Sequence, residues 1–144
     1  MQAALGVAQI ARLDDFIAAR RSNFTYLRER LQACEEFLIL PEATADSEPS
    51  WFGFLITLRE NAPCSRVDLL RYLDQNKIGT RLLFAGNVTR QPYMLGRQYR
   101  IAATLANADI ITERSFWIGV YPGLSTEMLD YAADKISEFL GVGF

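Results

Sequence analysis

The first third of the chain has the hydrophobic spacing of one long amphipathic helix. No proline interrupts residues 3–34, and charged residues fill the positions between the apolar ones. The apolar residues recur at intervals of three, four and seven, as on a helix with one buried face: Ile10, Leu13, Phe16, Ile17, Phe24, Leu27 and Leu31. A helix of about 30 residues is about 45 Å long, whereas a compact globule of this chain length is roughly 37 Å across. We therefore expect residues 1–34 to form a helix that projects beyond its own domain.

Small residues mark the beginning of this predicted helix. Ala4, Ala8 and Ala11 fall on one face, with Gly6 beside them. A row of small side chains lets another backbone approach closely, so we expect a segment outside this sequence to pack there. The alternative is a helix whose first turns fray.

Residues 35–144 alternate between strand patterns and helix patterns. Each strand pattern is rich in strand formers and is followed within a few residues by a proline: 37–40, 50–59 and 116–121. Helical patterns follow the second and third strands, and a shorter one covers 102–115. This order predicts a single α+β domain with about three antiparallel strands covered by helices on one face.

Two serines predict the beginnings of the helices that follow the strands. Ser65 is followed three residues later by Asp68, a variant of the capping box, and Ser125 precedes the last helical pattern. Gly79 is predicted to end the first of these helices in the left-handed conformation, and Gly141 to end the second. The apolar spacing predicts the buried positions of the last helix: Met128, Leu129, Ala132, Ile136 and Phe139.

The composition narrows the range of possible functions. A net charge of −2 over 144 residues, with basic and acidic residues interspersed, leaves no basic surface for nucleic acid. No apolar run approaches the roughly 18 residues that a membrane span needs, and no signal-peptide pattern begins the chain. We expect no nucleic-acid or membrane partner and a cytoplasmic location.

Histidine is absent, and the chain has two cysteines, Cys34 and Cys64. The lack of histidine excludes acid–base catalysis by imidazole within this chain. Two isolated cysteines cannot complete a zinc site, so no metal ligand is assigned. Cys34 lies among apolar neighbours and is interpreted as a buried, inert thiol. No residue of this chain is assigned a catalytic role.

Residues 80–93 carry more polar and aromatic groups than an ordinary connection of this length. Gly86 and Asn87 permit a turn with positive φ. Arg81, Asn87, Arg90 and Gln91 could present donors to an anionic or hydroxyl-rich ligand. The segment therefore predicts a binding loop, whereas composition alone would indicate an ordinary one.

Four blocks, taken in order, resemble consecutive parts of the DegT/DnrJ/EryC1/StrS family of sugar aminotransferases, which use pyridoxal phosphate. The blocks are MQAALGVAQIARLDDFIAARRSNF, LPEATADSEPSWFGFLITL, IGTRLLFAGNVTRQPY and FWIGVYPGL. No single block is decisive, but their joint order is specific and covers nearly the whole chain. Within the family, PSWFGF and TRLLFAGNVTRQPY are most similar to the branch of 3-dehydrases that act on CDP-4-keto-6-deoxyglucose. That branch replaces the usual Schiff-base lysine with histidine.

The resemblance implies that this chain is the carboxy-terminal small domain of a fold type I enzyme, with residues 1–34 as an interdomain helix. The large domain, which holds the cofactor pocket, would lie outside this sequence. The full-length protein would use pyridoxamine or pyridoxal phosphate and a [2Fe-2S] cluster to remove the C3 hydroxyl of the nucleotide sugar. It would form a homodimer and receive electrons from an iron-sulfur flavin reductase. Cys34 and Cys64 do not match the family's cluster motif, and the chain alone would be inactive.

Five residues are predicted to contact ligands in the full-length protein. The resemblance implies that Phe52 packs near the cofactor, although a strand core position is the alternative. Arg81 could pair with a phosphate or a buried carboxylate, or be a solvated charge at the end of a strand. Phe84, Asn87 and Gln91 could line the sugar pocket, with turn chemistry as the alternative.

Neighbouring residues are interpreted as packing. Gly53 would allow close approach of a ligand or backbone. Trp117 is interpreted as a core residue whose indole N–H needs a partner, and Tyr93 and Tyr121 as packing residues.

Two other functions stay open. The first is a sugar aminotransferase of the same family, although aminotransferases often carry a histidine in the block that corresponds to residues 84–91. The second is a free-standing α+β binding or regulatory module with residues 80–93 as its small-molecule site. For the isolated chain we expect no tight binding of cofactor, and self-association through the face formed by Ala4, Ala8 and Ala11.

Overall fold

The computed structural model describes residues 2–143, which form an antiparallel sheet of four strands with helices packed on it. The strand order is β1-β2-β4-β3. The strands are β1 Leu38–Ile39, β2 Gly53–Leu58, β3 Thr80–Leu82 and β4 Ser115–Gly119. The predicted α+β class is confirmed, and β3 adds a fourth strand inside the predicted binding loop. The sequence pattern missed β3 because it is three residues long, lies at the sheet edge and has no buried residue.

Five α-helices accompany the sheet in the described part of the chain. They are α1 Gln2–Ile10, α2 Leu13–Arg30, α3 Arg66–Gln75, α4 Ala106–Arg114 and α5 Thr126–Leu140. Short 3₁₀ turns occupy Gln32–Cys34, Val88–Arg90 and Pro92–Met94. Over residues 2–143, no helix has the length and apolar character needed to cross a bilayer.

One face of the sheet carries the core. Phe54, Ile56 and Leu58 alternate along β2, and they share a face with Phe116 and Ile118 of β4 because Phe54 pairs with Ile118 and Ile56 with Phe116. All of these side chains are buried, and full burial of each contributes about 1.5–3 kcal/mol. The buried residues that meet them come from α2, α3 and α5: Phe24, Leu27, Leu69, Leu73, Leu129, Ala133, Ile136 and Leu140.

The other face of the sheet is only partly covered. Leu55 and Trp117, which pair across β2 and β4, are half-buried, and Gly119 is exposed. We call this the open face. The alternation of side chains along a strand requires that residues next to the core positions point toward it.

The predicted helix over residues 1–34 is interrupted. α1 ends at Ile10, a turn covers Ala11 and Arg12, and α2 begins at Leu13. The Arg12 N–H donates to the Gln9 carbonyl at 3.0 Å, which is the spacing of a 3₁₀ turn. Every residue of α1 is exposed, so no packing within the described chain holds α1 and α2 in one line. The predicted apolar face is therefore buried only from Phe24 onward.

Both predicted helix beginnings are confirmed. The Asp68 N–H donates to Ser65 Oγ at 3.2 Å, and the Met128 N–H donates to Ser125 Oγ at 3.4 Å. The Asp68 carboxylate accepts from Ser65 Oγ at 2.6 Å, so it supports the cap through the hydroxyl. Each cap satisfies one backbone donor that a helix beginning leaves free.

One of the two predicted helix ends is wrong. Gly141 adopts the left-handed conformation after α5, with φ 72°. After α3, however, Lys77 takes this conformation, with φ 63°, and Gly79 does not. The Lys77 N–H donates to Asp74 and the Ile78 N–H to Leu73, both at 2.9 Å. This is a Schellman motif completed two residues earlier than predicted, because Ile78 packs against the core.

The buried face of α5 agrees with the predicted one only in part. Met128 is 55% exposed, and Ala132 and Phe139 are half-buried. Leu129 and Ile136 are buried as predicted, and Ala133, Ser137 and Leu140 complete the buried face. Ser137 can occupy the core because its hydroxyl donates to the Ala133 carbonyl at 2.9 Å.

Candidate functional site

Three aromatic rings lie side by side at the open face. The Trp117 ring is 5.2 Å from the Phe52 ring and 5.5 Å from the Phe84 ring, with interplanar angles of 59° and 71°. Tilted and edge-on contacts of this kind are favoured by the aromatic quadrupole. Phe52 is 76% exposed and Phe84 is 82% exposed. The structure therefore brings two sequence-predicted site residues together through a third aromatic residue.

Trp117 was expected in the core, and that expectation is wrong. It is half-buried on the open face, between the two exposed phenylalanines. The alternation along β4 carried the necessary signal, because Phe116 and Ile118 point inward and residue 117 must then point outward. Phe52 is likewise too exposed to be the strand core residue that was the alternative interpretation.

Gly53 makes room for the indole of Trp117. A Cβ at residue 53 would lie 3.4 Å from Trp117 Cε3 and 3.2 Å from the carbonyl oxygen of Ile118. The close approach predicted at this glycine is therefore made by residues of the neighbouring strand β4.

Contacts with α2 fix the segment that carries Phe52. Trp51 stacks on Phe24, with ring centroids 3.9 Å apart and planes 4° from parallel. Arg20 donates to the Trp51 carbonyl at 2.9 Å, and Arg21 pairs with Glu48 at 3.2 Å. With Trp51 held against α2, Phe52 is presented on the opposite side of the chain, at the open face.

Arg81 reaches the same face from the other edge. It pairs with Trp117 across β3 and β4, so the two side chains share the open face. Its side chain is exposed and has no hydrogen bond or ion pair within residues 2–143. A cation beside exposed aromatic rings suits an anionic ligand that also carries a flat or apolar part.

The side chain of Asn87 is buried within the loop and is held there by hydrogen bonds. It is 5% exposed, and its amide donates to Asp109 Oδ1 at 2.7 Å. Its Oδ1 accepts from the backbone N–H of Thr89 at 3.0 Å and from the Thr89 hydroxyl at 2.7 Å. Because the side chain is committed to these bonds, the structure matches the alternative interpretation of turn chemistry rather than a direct sugar contact.

Gln91 and Arg90 are partly committed as well. Gln91 Nε2 donates to the Ala85 carbonyl at 2.7 Å, which closes the loop across its base. Arg90 pairs with Asp109 at 3.3 Å and also with Glu113. The hydrogen bond from Asn87, followed by Arg90, holds the pKa of Asp109 below its usual value, and Glu113 and Asp109 raise the pKa of Arg90. Arg90 therefore fastens the loop to α4.

A small pocket lies behind the loop. It measures about 110 Å³, and its lining includes Phe84, Gly86, Gln91, Arg66 and Thr112. The pocket is too small for a sugar ring, and both Phe84 and Gln91 border it. The Phe84 ring can form an apolar wall beside a ligand that lies on the open face.

A second cleft lies away from these residues. It measures about 730 Å³ and forms where the turn after α3 meets α5, with Ile78, Tyr121, Met128 and Tyr131 among its lining residues. None of the five predicted site residues lines it. No sequence pattern predicts this cleft, because its walls come from separate elements that only the packing brings together.

Both cysteines lie in environments that favour the protonated thiol. Cys34 is buried, with its Sγ 3.3 Å from Ser137 Oγ, and burial raises its pKa. Burial, followed by the charge of Asp68, raises the pKa of Cys64. Over residues 2–143, no group of three or more His, Cys, Asp or Glu side chains could hold a metal ion.

Comparison with known proteins decides the family. The model of the DegT/DnrJ/EryC1/StrS aminotransferase family matches residues 1–137. The chain belongs to this family. It is 56% identical over all 144 residues to the lipopolysaccharide biosynthesis protein RfbH of Salmonella typhimurium, of which it covers 33%. It is 48% identical over 140 residues to a dTDP-4-dehydro-2,6-dideoxy-D-glucose 3-dehydratase of Saccharopolyspora spinosa, covering 97% of this chain and 30% of that protein.

Solved structures give the same fold. An Escherichia coli GDP-4-keto-6-deoxy-D-mannose-3-dehydratase with bound hydrated PLP superposes with a TM-score of 0.81 at 24% identity, covering 92% of this chain and 34% of that one. The fold is that of the carboxy-terminal region of fold type I family members, as the resemblance implied. The chain spans about a third of the length of the curated relatives that it matches.

Proposed function

We propose that this chain is the carboxy-terminal domain of a pyridoxal or pyridoxamine phosphate-dependent 3-dehydratase that removes the C3 hydroxyl of CDP-4-keto-6-deoxyglucose. The observation that carries this proposal is 56% identity to RfbH over the entire chain. A second relative, at 48% identity, is named as a 3-dehydratase of another nucleotide-linked sugar. The nucleotide in our proposal follows the block resemblance, and the reaction class follows the relatives' names.

The residues of the chain fit one wall of a coenzyme and substrate pocket. Phe52 and Trp117 offer exposed aromatic surface against which a flat ring or a sugar face can pack, and Arg81 offers an uncommitted cation beside them. The chain has no histidine, and its two lysines, Lys77 and Lys135, lie outside the open face. When bound, the coenzyme supplies the electron sink for breaking the C3–O bond.

The role of the chain's own residues is to bind and to exclude water. We propose that Phe52 packs beside the coenzyme and that Phe84 and Gln91 border the sugar. Arg81 would neutralise a phosphate of the nucleotide. Asn87 would act indirectly, by holding the loop that presents Phe84.

The residues present do not fit a [2Fe-2S] cluster. Such clusters are held by four ligands, mostly cysteine thiolates, and this chain has two cysteines, one buried against Ser137. We propose that residues outside this sequence bind the cluster. We also propose that the full-length protein is a cytoplasmic homodimer that receives electrons from an iron-sulfur flavin reductase.

The test is a product analysis with the full-length protein. CDP-4-keto-6-deoxyglucose, pyridoxamine phosphate and a flavin reductase with NADH should give a product that mass spectrometry shows to have lost the C3 oxygen. Formation of a 4-amino sugar that keeps its C3 oxygen, when an amino donor is added, would make the protein an aminotransferase. No change of the sugar under either condition would favour the free-standing binding module.

The proposed binding wall is tested by variants of the same protein. Phe52→Ala and Phe84→Ala should each raise the KM for the nucleotide sugar about tenfold, because each removes an aromatic surface that the coenzyme and the sugar joined to it would bury. Tyr99→Ala, which removes an aromatic ring that is 49% exposed elsewhere, is the matched control and should leave KM unchanged. Equal effects in all three variants would remove the open face from the proposed site.

A further inference from the structure

The backbone at Phe84 has an unusual conformation. Its φ is 48°, in the left-handed region that residues with a bulky side chain rarely adopt. The Phe84 N–H donates to the Leu82 carbonyl at 2.8 Å, and the Gly86 N–H donates to the Leu83 carbonyl at 3.3 Å. The chain thus turns sharply after β3. This turn directs the Phe84 ring back toward Trp117.

The ring itself does not explain why this conformation persists. Phe84 is 82% exposed, and its one aromatic contact within residues 2–143 is with Trp117. A side chain so exposed gains little from packing, so it cannot by itself hold its own backbone in an unfavourable region. The restraint must come from the residues that follow Phe84 in the loop.

Those residues are fastened to Thr112 of α4. A Cβ at Gly86 would lie 2.3 Å from Thr112 Oγ1, so the Gly86 backbone rests directly on this side chain. The Asn87 N–H donates to Thr112 Oγ1 at 2.6 Å, and the Thr112 hydroxyl donates to the Ala108 carbonyl at 2.7 Å. The hydroxyl therefore accepts from the loop and donates to its own helix. A valine at 112 would keep the shape and lose both bonds.

We propose that Thr112 is a positioning residue: through Gly86 and Asn87 it holds Phe84 in the left-handed conformation that sets its ring against Trp117. Asp109 supports the same arrangement by accepting from Asn87 one turn earlier on α4. Thr112 touches neither substrate nor coenzyme in this scheme. Its consequence for substrate binding rests on the proposed function, whereas its effect on the two rings does not.

The experiment follows the ring contact and the kinetics separately in the full-length protein. With 5-fluorotryptophan incorporated, the ¹⁹F resonance of Trp117 is assigned by its loss in Trp117→Phe. Thr112→Val should move this resonance toward its position in Phe84→Ala. It should also raise the KM for CDP-4-keto-6-deoxyglucose about fivefold, because of the two lost bonds only the one from Asn87 holds the loop, and one hydrogen bond is worth about 1 kcal/mol. The kcat should change less than KM. Thr112→Ser should restore both values, and Thr126→Val, the same change at an exposed threonine of α5, should alter neither.

Each outcome has a distinct meaning. A Trp117 resonance that stays at its wild-type position in Thr112→Val overturns the positioning role. A shifted resonance, combined with an unchanged KM in Phe84→Ala, supports positioning and removes Phe84 from the proposed substrate site. If Thr112→Val does not fold, Gly86→Ala keeps the hydroxyl but pushes the loop away from it, and it should shift the resonance in the same direction. An unshifted resonance in a folded Gly86→Ala likewise overturns the proposal.

Discussion

The indole of Trp117 lies over Gly53 on the neighbouring strand, with Cε3 3.4 Å from the position that a Cβ at residue 53 would take. The carbonyl oxygen of Ile118 would lie even closer to that Cβ, at 3.2 Å. The carbonyl of Ile118 cannot move without straining the hydrogen bonds of the sheet. A side chain at residue 53 would therefore be pressed against both this carbonyl and the indole. Gly53 and Trp117 therefore form one packing unit at the open face.

Gly53→Ala should lower the free energy of unfolding by about 1 kcal/mol, through overpacking against β4. Urea denaturation of the 144-residue chain measures it. The control is Gly79→Ala, where a Cβ meets no heavy atom within 4 Å and φ is not left-handed. That change should be neutral or stabilising by about 0.5 kcal/mol, since alanine restricts the unfolded chain. Equal effects at both positions would show that the approach of Trp117 is not tight.

Gly86→Ala should cost more, about 2 kcal/mol or above, because it combines left-handed strain with a clash against Thr112. Gly96→Ala separates the two causes. Gly96 has φ 72° but open space around its Cβ position, so its substitution should cost only the conformational part, about 1 kcal/mol. The same denaturation measurement applies. A loss at residue 86 no larger than at residue 96 would mean that the loop moves off Thr112 freely.

Substitutions of exposed and buried phenylalanines should affect different properties, substrate binding in the first case and the free energy of unfolding in the second. Phe52→Ala and Phe84→Ala should change the free energy of unfolding by less than about 0.5 kcal/mol, because both rings are mostly exposed. Phe116→Ala should cost about 3–5 kcal/mol, because that ring is fully buried. Denaturation of the three variants, beside the KM values proposed above, tests the contrast. Large destabilisation by Phe52→Ala would indicate a structural role for that ring.

The loop should loosen in acid. Asp109 accepts from Asn87 and pairs with Arg90, which also faces Glu113, and these bonds favour the ionised carboxylate. Its folded-state pKa is lowered, so its contribution to stability is complete above the unfolded-state value of about 3.9. That contribution is lost as the pH falls through the lower folded value.

The ¹⁹F resonance of Trp117 should therefore move toward its Phe84→Ala position as the pH falls below about 3.9 and through the lowered pKa of Asp109. Asp109→Asn is the control, since it removes the titrating group while keeping an acceptor for Asn87. A transition of the same midpoint and size in Asp109→Asn would assign the change to other carboxylates. Far-UV circular dichroism recorded alongside separates loop opening from global unfolding.

Local chemistry made much of the fold predictable. Ser65 and Ser125 cap their helices as expected because a cap depends on residues three apart. Gly79 was mispredicted because the end of α3 is set by Ile78 entering the core, and a long-range contact of this kind overrode the preference of glycine for positive φ. Strand β3 is likewise defined by its partner β4 rather than by its own composition.

The site was predictable only in part. The sequence predicts Phe52, Arg81 and Phe84 as site residues, and all three lie at one face of the sheet. All three lie beside Trp117, and this proximity depends on the register between strands that are far apart in the chain. No local sequence pattern specifies that register. The commitment of Asn87 to α4 was hidden for the same reason, since its partner Asp109 is 22 positions away.

The exposure of α1 has a consequence for how this chain folds. No described residue of α1 is buried, so forming or melting these nine residues changes no contact of the core. Isolated helices this short are marginal in water. The cooperative folding unit therefore begins within α2, and α1 is free to gain its helicity from whatever surface it meets. Removing residues 1–12 should leave the melting temperature of the body unaltered. The boundary just before Leu13 therefore separates the part of the chain that folds cooperatively from the part whose helicity depends on association with another surface.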